Sequence, residues 1–257
     1  MVNTKLFELS KPTQFVNLLG CIASIQEEAT LNFNESGIKV EVMDGSHVAM
    51  MILEIPRDSF DVYTDWIGDI SLNLKETLKT LGKIQKEDEL HASFDPETAK
   101  MLFTFRGHKF LTRNKTISTL ETIIDEIPHP KIFFKSKTRV ILDAFKFAVD
   151  DLAKTSEHIT FKVDASVMEL SASGDLSSDT IPFLAKGDNV LQHQLDSSEA
   201  TIKSTFTNSY LTEVLKEFNK VSEVVTVELD TDMPLKLDVE LSRGKLEFFL
   251  APCIGVD

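Results

Sequence analysis

Two segments, Thr30–Asp44 (TLNFNESGIKVEVMD) and His158–Asp175 (HITFKVDASVMELSASGD), decide the fold of this chain. Each segment has the pattern of a strand, a short polar turn and a second strand, and each follows an amphipathic helix. Later in the chain, Glu89–Phe105 is echoed in the same way by Val224–Leu241. Self-similarity on this scale predicts that one domain occurs twice. Because repeats of two-faced elements commonly build one continuous surface, we expect function to reside on that surface.

The composition is typical of a globular protein with an acidic surface. The chain has 257 residues, of which 42% are hydrophobic, and a formal net charge of −14. This length accommodates two domains of about 120 residues each. No apolar run approaches the ~20 residues of a membrane span, and Met1–Lys11 lacks the pattern of a secretory signal. The negative charge argues against nucleic-acid binding over the whole surface, unless opposite charges are sorted onto different faces.

Four amphipathic helices are predicted from apolar residues that recur every three or four positions. They cover Lys11–Glu28, Ser71–Leu81, Thr138–Lys154 and Asn208–Asn219. Short apolar or alternating segments between them predict strands, among them Ile181–Leu184, which Pro182 confines to a sheet edge or a bulge. The predicted fold class is therefore α+β, with two similar domains that each place two helices on antiparallel sheets.

The stretch Asn114–Pro130 has no steady period and ends in two prolines. We interpret it as an extended linker between the domains, stiffened by Pro128 and Pro130. Its leucine and isoleucines are apolar for a free tether, so we expect it to lie against the surface. A short helix over Ser118–Asp125 is an alternative interpretation.

No group of residues points to catalysis, to a metal or to a cofactor. The ten glycines form no phosphate-binding loop, and the six histidines are scattered without metal-ligand spacing. The two cysteines, Cys21 and Cys253, are far apart in the sequence, and we expect free thiols in a reducing compartment. Carboxylates are so numerous that chance pairs are expected, which makes an acidic-site hydrolase the weakest alternative. We therefore predict that the protein is not an enzyme.

Lysines gather on the polar faces of three of the four predicted helices. In chain order they are Lys75, Lys79, Lys83, Lys86, Lys146, Lys154, Lys216 and Lys220. The first four recur at steps of four, four and three, opposite the leucines of the second helix. An ordinary solvated face is one interpretation. The other is a mildly basic helical surface that binds phosphates weakly and without sequence preference.

The segment Ser36–Ile52 (SGIKVEVMDGSHVAMMI) closely resembles the Met-Asp-x-Ser-His-Val segment of the proliferating cell nuclear antigen family, the sliding DNA clamps of eukaryotes and archaea. Leu170–Gly174 (LSASG), Met233–Leu235 (MPL) and Leu246–Pro252 (LEFFLAP) are similar to further motifs of that family, in the same order. The resemblance covers essentially the whole chain. The proline-rich Pro128–Phe134 and the short tail look more archaeal than eukaryotic.

The resemblance implies the DNA clamp fold and a homotrimeric ring of pseudo-sixfold symmetry. The implied domains are residues 1–113 and 135–257, joined by an interdomain connector loop over residues 114–134. Subunits of the family join head to tail through edge strands, which correspond here to Lys109–Arg113 and Ser177–Leu184.

The implied function is a processivity factor that encircles duplex DNA and tethers the replicative polymerase and other replication and repair proteins. The implied DNA-binding residues are Lys75, Lys79, Lys83, Lys146, Lys154, Lys216 and Lys220. The first helix departs from the family, because Val16, Asn17 and Ala23 stand where relatives place lysines. Asp150 likewise stands where a relative has arginine. We therefore expect a weaker positive lining and a low intrinsic affinity for DNA.

Partners of the family (DNA polymerase, clamp loader, flap endonuclease and ligase) insert a PIP-box peptide into a pocket beneath the connector. The matching residues here are Met43, His47, Val48, Ile127, Pro128, Pro234, Phe249, Ala251 and Pro252. By residue type alone, Met43 and Val48 would be core residues and His47 a structural histidine, and only the resemblance favours a groove.

Two alternatives stay open. The missing lysines of the first helix also fit a peptide-binding scaffold that does not encircle DNA, or one subunit of a heterotrimeric clamp. An archaeal protein of this kind is expected in the cytoplasm at the nucleoid, and a eukaryotic one in the nucleus.

Overall fold

A computed structural model describes residues 3–107, 111–122, 127, 132–196 and 200–255. The α-helices in this part of the chain are α1 (Thr13–Ala23), α2 (Leu74–Leu81), α3 (Leu142–Leu152) and α4 (Asn208–Phe218), and a short 3-10 helix covers Arg57–Ser59. Within the described ranges, no helix has the length and apolar character needed to cross a membrane.

Strands make up most of the remaining chain. Those of the first half are β1 (Thr4–Leu9), β2 (Glu28–Asn34), β3 (Gly37–Met43), β4 (Ala49–Pro56), β5 (Val62–Tyr63), β6 (Gly68–Asn73), β7 (Glu89–Asp95), β8 (Lys100–Arg106) and β9 (Thr112–Ser118). Those of the second half are β10 (Ser136–Ile141), β11 (His158–Val163), β12 (Val167–Ser173), β13 (Ser178–Leu184), β14 (Val190–Leu195), β15 (Ile202–Thr207), β16 (Val224–Leu229), β17 (Leu235–Val239) and β18 (Lys245–Leu250).

The two halves repeat the same strand order. The run β5-β1-β7-β8-β9 in the first half corresponds to β14-β10-β16-β17-β18 in the second, and β4-β3-β2-β6 corresponds to β13-β12-β11-β15. The corresponding pairs β1–β7 and β10–β16 are both antiparallel, as are β2–β6 and β11–β15. Every strand therefore has its counterpart nine strands later, which confirms the predicted duplication and the α+β class.

The chain divides into two compact units. Unit 1 comprises Met1–Val42, Ile52–Ile127 and Ser242–Lys245, and unit 2 comprises Met43–Met51, Pro128–Leu241 and Leu246–Asp257. Each unit has an aromatic core. In unit 1 the ring centroid of Phe7 lies 5.0 Å from that of Phe15, and in unit 2 those of Phe161 and Phe206 are 5.5 Å apart. The domain boundaries inferred from the resemblance stay predictions.

The helices pack in pairs, α1 with α2 in unit 1 and α3 with α4 in unit 2. Each buries one apolar stripe, as its periodicity predicts. In α3 that stripe contains Leu142, Phe145, Val149 and Leu152, all with an exposed fraction of 0%. Burying a side chain of this size contributes about 1.5–3 kcal/mol, so the stripe decides which face of the helix turns outward.

The predicted helix limits are wrong at several ends. Ser71–Asn73 belongs to β6 and Thr138–Ile141 to β10, whereas Glu28, the expected end of the first helix, begins β2. The reason is that β6 and β10 are followed directly by helices, so the two-residue alternation of the strand changes to the helical repeat without a turn between them. In β10, for example, Thr138 and Val140 are buried and Lys137 is exposed.

The linker prediction is also wrong in its first residues, because Asn114–Ser118 forms part of β9, paired with β8. No helix occurs in the described part of Ser118–Asp125, which ends at Thr122. Lys109, the first residue of one expected edge segment, lies outside the described residues. The terminal strand of this sheet is β9, which begins at Thr112 and pairs with β8, so only Thr112 and Arg113 of the expected edge segment belong to it.

The second expected edge is confirmed. Strand β13 is the terminal strand next to β12, and it runs through Pro182, which lies opposite Glu169. A terminal strand tolerates proline because one side of its backbone has no ladder partner within the sheet.

Gly37, at the start of β3, allows a close contact between backbone segments of unit 1. It has a φ of +138°, and an added Cβ would lie 2.1 Å from the Ile55 carbonyl oxygen and 2.8 Å from the Arg57 nitrogen. Gly45, in the next turn, has no heavy atom within 4 Å of such a Cβ. The two glycines therefore differ in how strictly the backbone requires them.

We expect Gly37→Ala to lower the free energy of unfolding by about 3–5 kcal/mol, because it combines backbone strain with a steric overlap. Gly45→Ala is the matched control and should change it by less than about 0.5 kcal/mol. Urea denaturation followed by circular dichroism measures both values. Equal stability of the two variants would contradict this assignment.

Candidate functional site

The lysines of α2 lie on its outward face in unit 1. Leu74, Thr77 and Leu81 are the buried residues of this helix, and Lys75 and Lys79 are on the opposite side. The helix begins after Asn73, whose side-chain oxygen accepts a hydrogen bond of 2.9 Å from the Glu76 amide.

Lys83 lies beyond the end of α2, since Gly82 follows the last helical residue with a φ of +66°. Its backbone carbonyl accepts a hydrogen bond of 3.1 Å from Arg113 Nη1. The Lys83 side chain is exposed. The position of Lys83 past the helix agrees with the predicted helix end at Leu81.

The four lysines of unit 2 are distributed over α3 and α4. Lys146 and Lys216 lie within the helices, whereas Lys154 and Lys220 follow their ends by two residues. All except Lys146, which is half-buried, are exposed. Lys146 and Lys216 therefore lie on the helices as predicted, whereas Lys154, the predicted last residue of the third helix, lies beyond its end.

Acidic neighbours offset most of this positive charge. Lys79 Nζ lies 3.5 Å from Glu76, Lys154 Nζ lies 2.9 Å from Asp151, and Lys220 Nζ lies 2.6 Å from Glu217. Lys75 pairs with Glu27 and Lys146 with Asp150. Neither Lys83 nor Lys216 forms an ion pair with another described residue.

Exposed ion pairs contribute little to stability, so these contacts matter mainly for the local potential. The hydrogen bond from Lys154 to Asp151 raises the pKa of the lysine, which keeps it charged. Paired in this way, each lysine presents a weaker net field to a phosphate. Acids outnumber lysines within α3 and α4, so the available cations of these helices have no excess of positive charge around them.

The second candidate surface centres on the Asp44 loop, which we define as Asp44–Ala49 in unit 2. The sequence Asp44-Gly45-Ser46 is a turn signature, because an aspartate side chain can bond the backbone amides that follow it. Asp44 Oδ1 accepts hydrogen bonds from the amides of Val48, at 2.8 Å, and Ala49, at 2.7 Å. Asp44 Oδ2 accepts from the amide of Ser46, at 3.0 Å, and from the hydroxyl of Tyr210 in α4, at 2.8 Å.

The carboxyl group of Asp44 is ionised at neutral pH. Only 6% of the residue is exposed, and this burial opposes the charged form. The hydrogen bonds from Ala49, Tyr210, Ser46 and Val48 outweigh the cost of burial and lower the pKa of Asp44 below its ordinary value. The loop is thereby held at neutral pH by a buried negative charge.

The C-terminal segment, defined as Ala251–Ile254, runs beside this loop in unit 2. The Ala251 amide donates to the Val48 carbonyl at 2.8 Å. The Cys253 amide donates to the Thr205 carbonyl of β15 at 2.8 Å, and the Cys253 thiol lies 3.2 Å from the Thr207 hydroxyl. The segment is therefore fixed between the Asp44 loop and β15.

The pairing of β17 with β18 places two more predicted groove residues, Phe249 and Pro234, near Ala251. Lys236 of β17 lies opposite Phe249 of β18, and Leu235 and Leu250 are buried on the other face. By strand alternation, Phe249 and Ala251 point to the same side of the sheet, where Pro234 immediately precedes β17. Phe249, Pro234 and Ala251 are all half-buried, as a groove wall would be.

Apolar side chains are exposed around these segments. Val48 is 36% exposed, Met233 38% and Ile254 78%. His47 is exposed with a φ of +59°, whereas Met43 and Pro252 are half-buried. The structure thus brings Met43, His47, Val48, Pro234, Phe249, Ala251 and Pro252 into one unit.

Two of the predicted groove residues are not placed with the others. Ile127 is half-buried and belongs to unit 1, and Pro128 lies outside the described residues. Tyr210 was not among the predicted residues, because its contact with Asp44 joins positions that are 166 residues apart. Asp44, in contrast, could have been predicted from the turn signature Asp44-Gly45-Ser46.

A third feature lies along the edge strand β13. A cavity of about 510 Å³ is lined by α3, by β13 and by the turn before β14. At its rim, Phe147 is 69% exposed and Leu184 58%, and Asp143 and Asp188 add negative charge. Exposed apolar groups beside an unpaired strand edge form a surface suited to strand addition.

Across the described ranges, no cluster of three or more histidine, cysteine or carboxylate side chains is arranged to hold a metal ion. The two cysteines are free thiols, Cys21 buried and Cys253 half-buried.

Comparison with known proteins points to one family. The model of the N-terminal domain of proliferating cell nuclear antigen (PCNA) matches residues 4–125, and the model of its C-terminal domain matches residues 130–254. A protein of Methanococcus maripaludis named DNA polymerase sliding clamp is 29% identical over 243 residues, which are 93% of this chain and 95% of that protein.

Two solved structures share the fold. PCNA from Thermococcus kodakaraensis aligns with a TM-score of 0.90 at 22% identity, over 97% of this chain and 100% of that one. A chain of the PCNA2–PCNA3 complex from Sulfolobus tokodaii aligns with a TM-score of 0.86 at 23% identity, over 96% and 98%. Since the two domain models together match nearly the whole sequence, in the order and at the positions of the two repeats, the chain belongs to the proliferating cell nuclear antigen family.

Proposed function

We propose that three copies of this chain close head to tail into a ring that encircles duplex DNA and tethers a DNA polymerase to it. The observation that carries the proposal is the pair of terminal strands, β9 in unit 1 and β13 in unit 2, in a chain of this family. The name of the Methanococcus relative, DNA polymerase sliding clamp, supports the same function. The role is topological, with no chemical step assigned to the protein.

The two edges are complementary in length and in side-chain character. Both β9 and β13 have seven residues. Leu111, which precedes β9, is 60% exposed, and Lys115 lies within that strand. The rim along β13 offers Leu184 and Phe147 as apolar partners and Asp143 and Asp188 as acids. Pairing β9 of one copy with β13 of the next would satisfy both ladders, and a closed ring leaves neither edge free.

The helices would then contact DNA weakly. Lys83 and Lys216 are available to phosphates, and the other five lysines share their charge with an acid. Contacts of this kind are independent of sequence and sensitive to salt. Weak binding suits a ring that slides, because tight or base-specific contacts would hold it in place.

The Asp44 loop, the start of β17 and the C-terminal segment would bind the PIP-box peptides of partner proteins. Exposed Val48, Met233 and Ile254 supply apolar contacts for an aliphatic and aromatic plug, and the neighbouring backbone supplies hydrogen bonds. DNA polymerase, clamp loader, flap endonuclease and ligase are the expected partners. An archaeal protein of this kind would act in the cytoplasm at the nucleoid.

A subunit of a mixed ring is the second candidate. The absence of lysine from α1 and the ion pairs of five lysines in and after α2, α3 and α4 favour it, because other chains could supply the missing positive charge. The Sulfolobus structure is a complex of PCNA2 with PCNA3, which shows that the fold occurs in mixed assemblies.

Retention on DNA tests the central proposal. After loading by a clamp loader, the protein should stay on closed circular DNA through gel filtration and should be lost when the circle is cut, because a ring slides off a free end. Retention on the cut DNA would contradict encirclement, and loss from both forms would favour the non-encircling scaffold.

Self-closure depends on β13. Leu184→Glu should convert a trimer of the purified protein into monomers, because it places a charge where β9 of the next copy would pack. Ile67→Glu is the matched control, since Ile67 is 60% exposed and Leu184 58%. Mass measurement at several concentrations reports the outcome. A wild-type chain that stays monomeric at high concentration would favour the mixed ring.

Removing acids from the helices should raise the affinity for linear DNA. The double variant Asp151→Asn/Glu217→Gln frees Lys154 and Lys220, so the slope of log affinity against log salt should steepen by up to about 2. Asp58→Asn/Asp65→Asn changes the net charge equally at exposed acids that pair with arginines outside the helices. An equal effect of both double variants would mean that only net charge matters.

A further inference from the structure

The Tyr210 hydroxyl of helix α4 donates a hydrogen bond of 2.8 Å to the Asp44 carboxylate and also contacts the Ser46 hydroxyl of the Asp44 loop. From these contacts we infer, on the basis of the proposed partner site, that Tyr210 is a positioning residue whose hydroxyl holds the Asp44 loop in the shape that binds partner peptides. Tyr210 does not need to touch the peptide in this role. It acts through Asp44, and both residues belong to unit 2.

Hydrogen bonds, rather than burial, hold this loop. Within its backbone, the Asp44 amide donates to the Ala49 carbonyl at 2.9 Å and the His47 amide donates to the Asp44 carbonyl at 3.0 Å. Gly45, Ser46, His47 and Val48 are all exposed, so apolar burial contributes little to their conformation. His47 has a φ of +59°, a conformation that costs free energy for a residue other than glycine and persists only where its surroundings impose it. These backbone hydrogen bonds and the hydrogen bonds to the Asp44 side chain together hold the shape of this loop.

Tyr210 supplies half of the contacts of one carboxylate oxygen. Asp44 Oδ1 has two amide donors, whereas Oδ2 has the Ser46 amide and the Tyr210 hydroxyl. A buried carboxylate is stable only when its oxygens are well satisfied. Without the hydroxyl, Oδ2 would turn toward another donor or toward water, and the amides of Ser46 and Val48 would follow.

The hydroxyl is available as a donor over the whole neutral range. Burial, and after it the hydrogen bond to Asp44, raises the pKa of Tyr210 above its ordinary value. The tyrosine thus remains protonated up to and beyond its usual titration range, while Asp44 remains ionised. The contact is a hydrogen bond from a neutral donor to a charged acceptor, which is stronger than one between neutral groups.

A shift of the loop would reach the peptide site directly. Val48 is one of its exposed apolar residues, and the Val48 carbonyl accepts the hydrogen bond of the Ala251 amide. The same loop therefore places a side chain for the peptide and anchors the C-terminal segment. A loop already held in the bound shape reduces the ordering cost of binding.

The chain contains a matched control for this role. Its other tyrosine, Tyr63, also donates from a part-buried hydroxyl, to the carbonyls of Gly37 at 2.6 Å and Asn34 at 3.1 Å. Those contacts lie in unit 1 and involve none of the predicted groove residues. Tyr63→Phe and Tyr210→Phe thus make the same chemical change at two different places.

The test is the affinity of each full-length variant for a synthetic PIP-box peptide, measured by calorimetry at neutral pH. We expect Tyr210→Phe to bind the peptide about three- to tenfold more weakly than wild type, the range that loss of one such hydrogen bond implies. Tyr63→Phe should lower thermal stability and leave the affinity within about twofold of wild type. Both variants should keep the oligomeric state of wild type.

A spectroscopic measurement separates positioning from general loosening. In the free protein, the amide proton resonances of Ser46, Val48 and Ala49 should move in Tyr210→Phe and stay in place in Tyr63→Phe. Unchanged affinity and unchanged loop resonances in Tyr210→Phe would overturn the inference and leave the groove intact. Equal loss of affinity in both variants would also overturn it, because stability alone would then explain the effect. A wild-type protein that binds no peptide would overturn the proposed groove itself, and with it this role of Tyr210.

Discussion

Burial of one apolar stripe on each helix is the constraint on which the rest of this structure depends. In α3, Leu142, Phe145 and Val149 are completely buried, and the charged residues are confined to the face that remains. The same division holds in α2 and α4. Since a helix has only a narrow polar face, lysines and acids placed there are three or four residues apart, within reach of one another. The ion pairs of Lys79, Lys154 and Lys220 follow from this crowding.

The Asp44 loop follows a different rule, because it is organised by charge rather than by apolar burial. A buried carboxylate collects three amides of its own loop and one hydroxyl from α4. Three of these donors lie within five residues of Asp44 in the sequence, and the fourth, Tyr210, lies 166 residues away. The arrangement gives an exposed, glycine-containing turn a defined shape, which the proposed peptide-binding role would require.

The sequence predicted what depends on local periodicity and on duplication. The α+β class, the repeated hairpins and the apolar stripes all follow from spacing, and the structure confirms them. The predicted helix starts at Ser71 and Thr138 were wrong, because in each case a strand is followed directly by a helix. Apolar residues continue from one element into the next, so the sequence does not mark the boundary. The strand nature of Asn114–Ser118 was missed for another reason. Its alternation is of polar residues, since neither face of this edge is fully covered in a single chain.

The candidate site was predictable only where a motif carried it. Val48, Ala251 and Pro234 come from segments whose resemblance to the family identifies them, and the structure places them in one unit. Tyr210 could not be found in this way, because a hydrogen bond between residues 166 positions apart leaves no trace in spacing. The sequence likewise showed that lysines and acids are mixed on the helices. Which acid pairs with each lysine could be read only from the positions of the side chains.

The location of β9 in one unit and β13 in the other has a kinetic consequence for any assembly built from them. A copy joined through both edges is held by two separate junctions, and breaking one of them leaves it attached by the second. In a closed ring, one broken junction is enough to open a passage for a DNA strand, whereas escape of a subunit requires two broken at once. Opening of the ring and loss of a subunit therefore have separate energy barriers. A ring can open and close many times at one junction before any subunit dissociates.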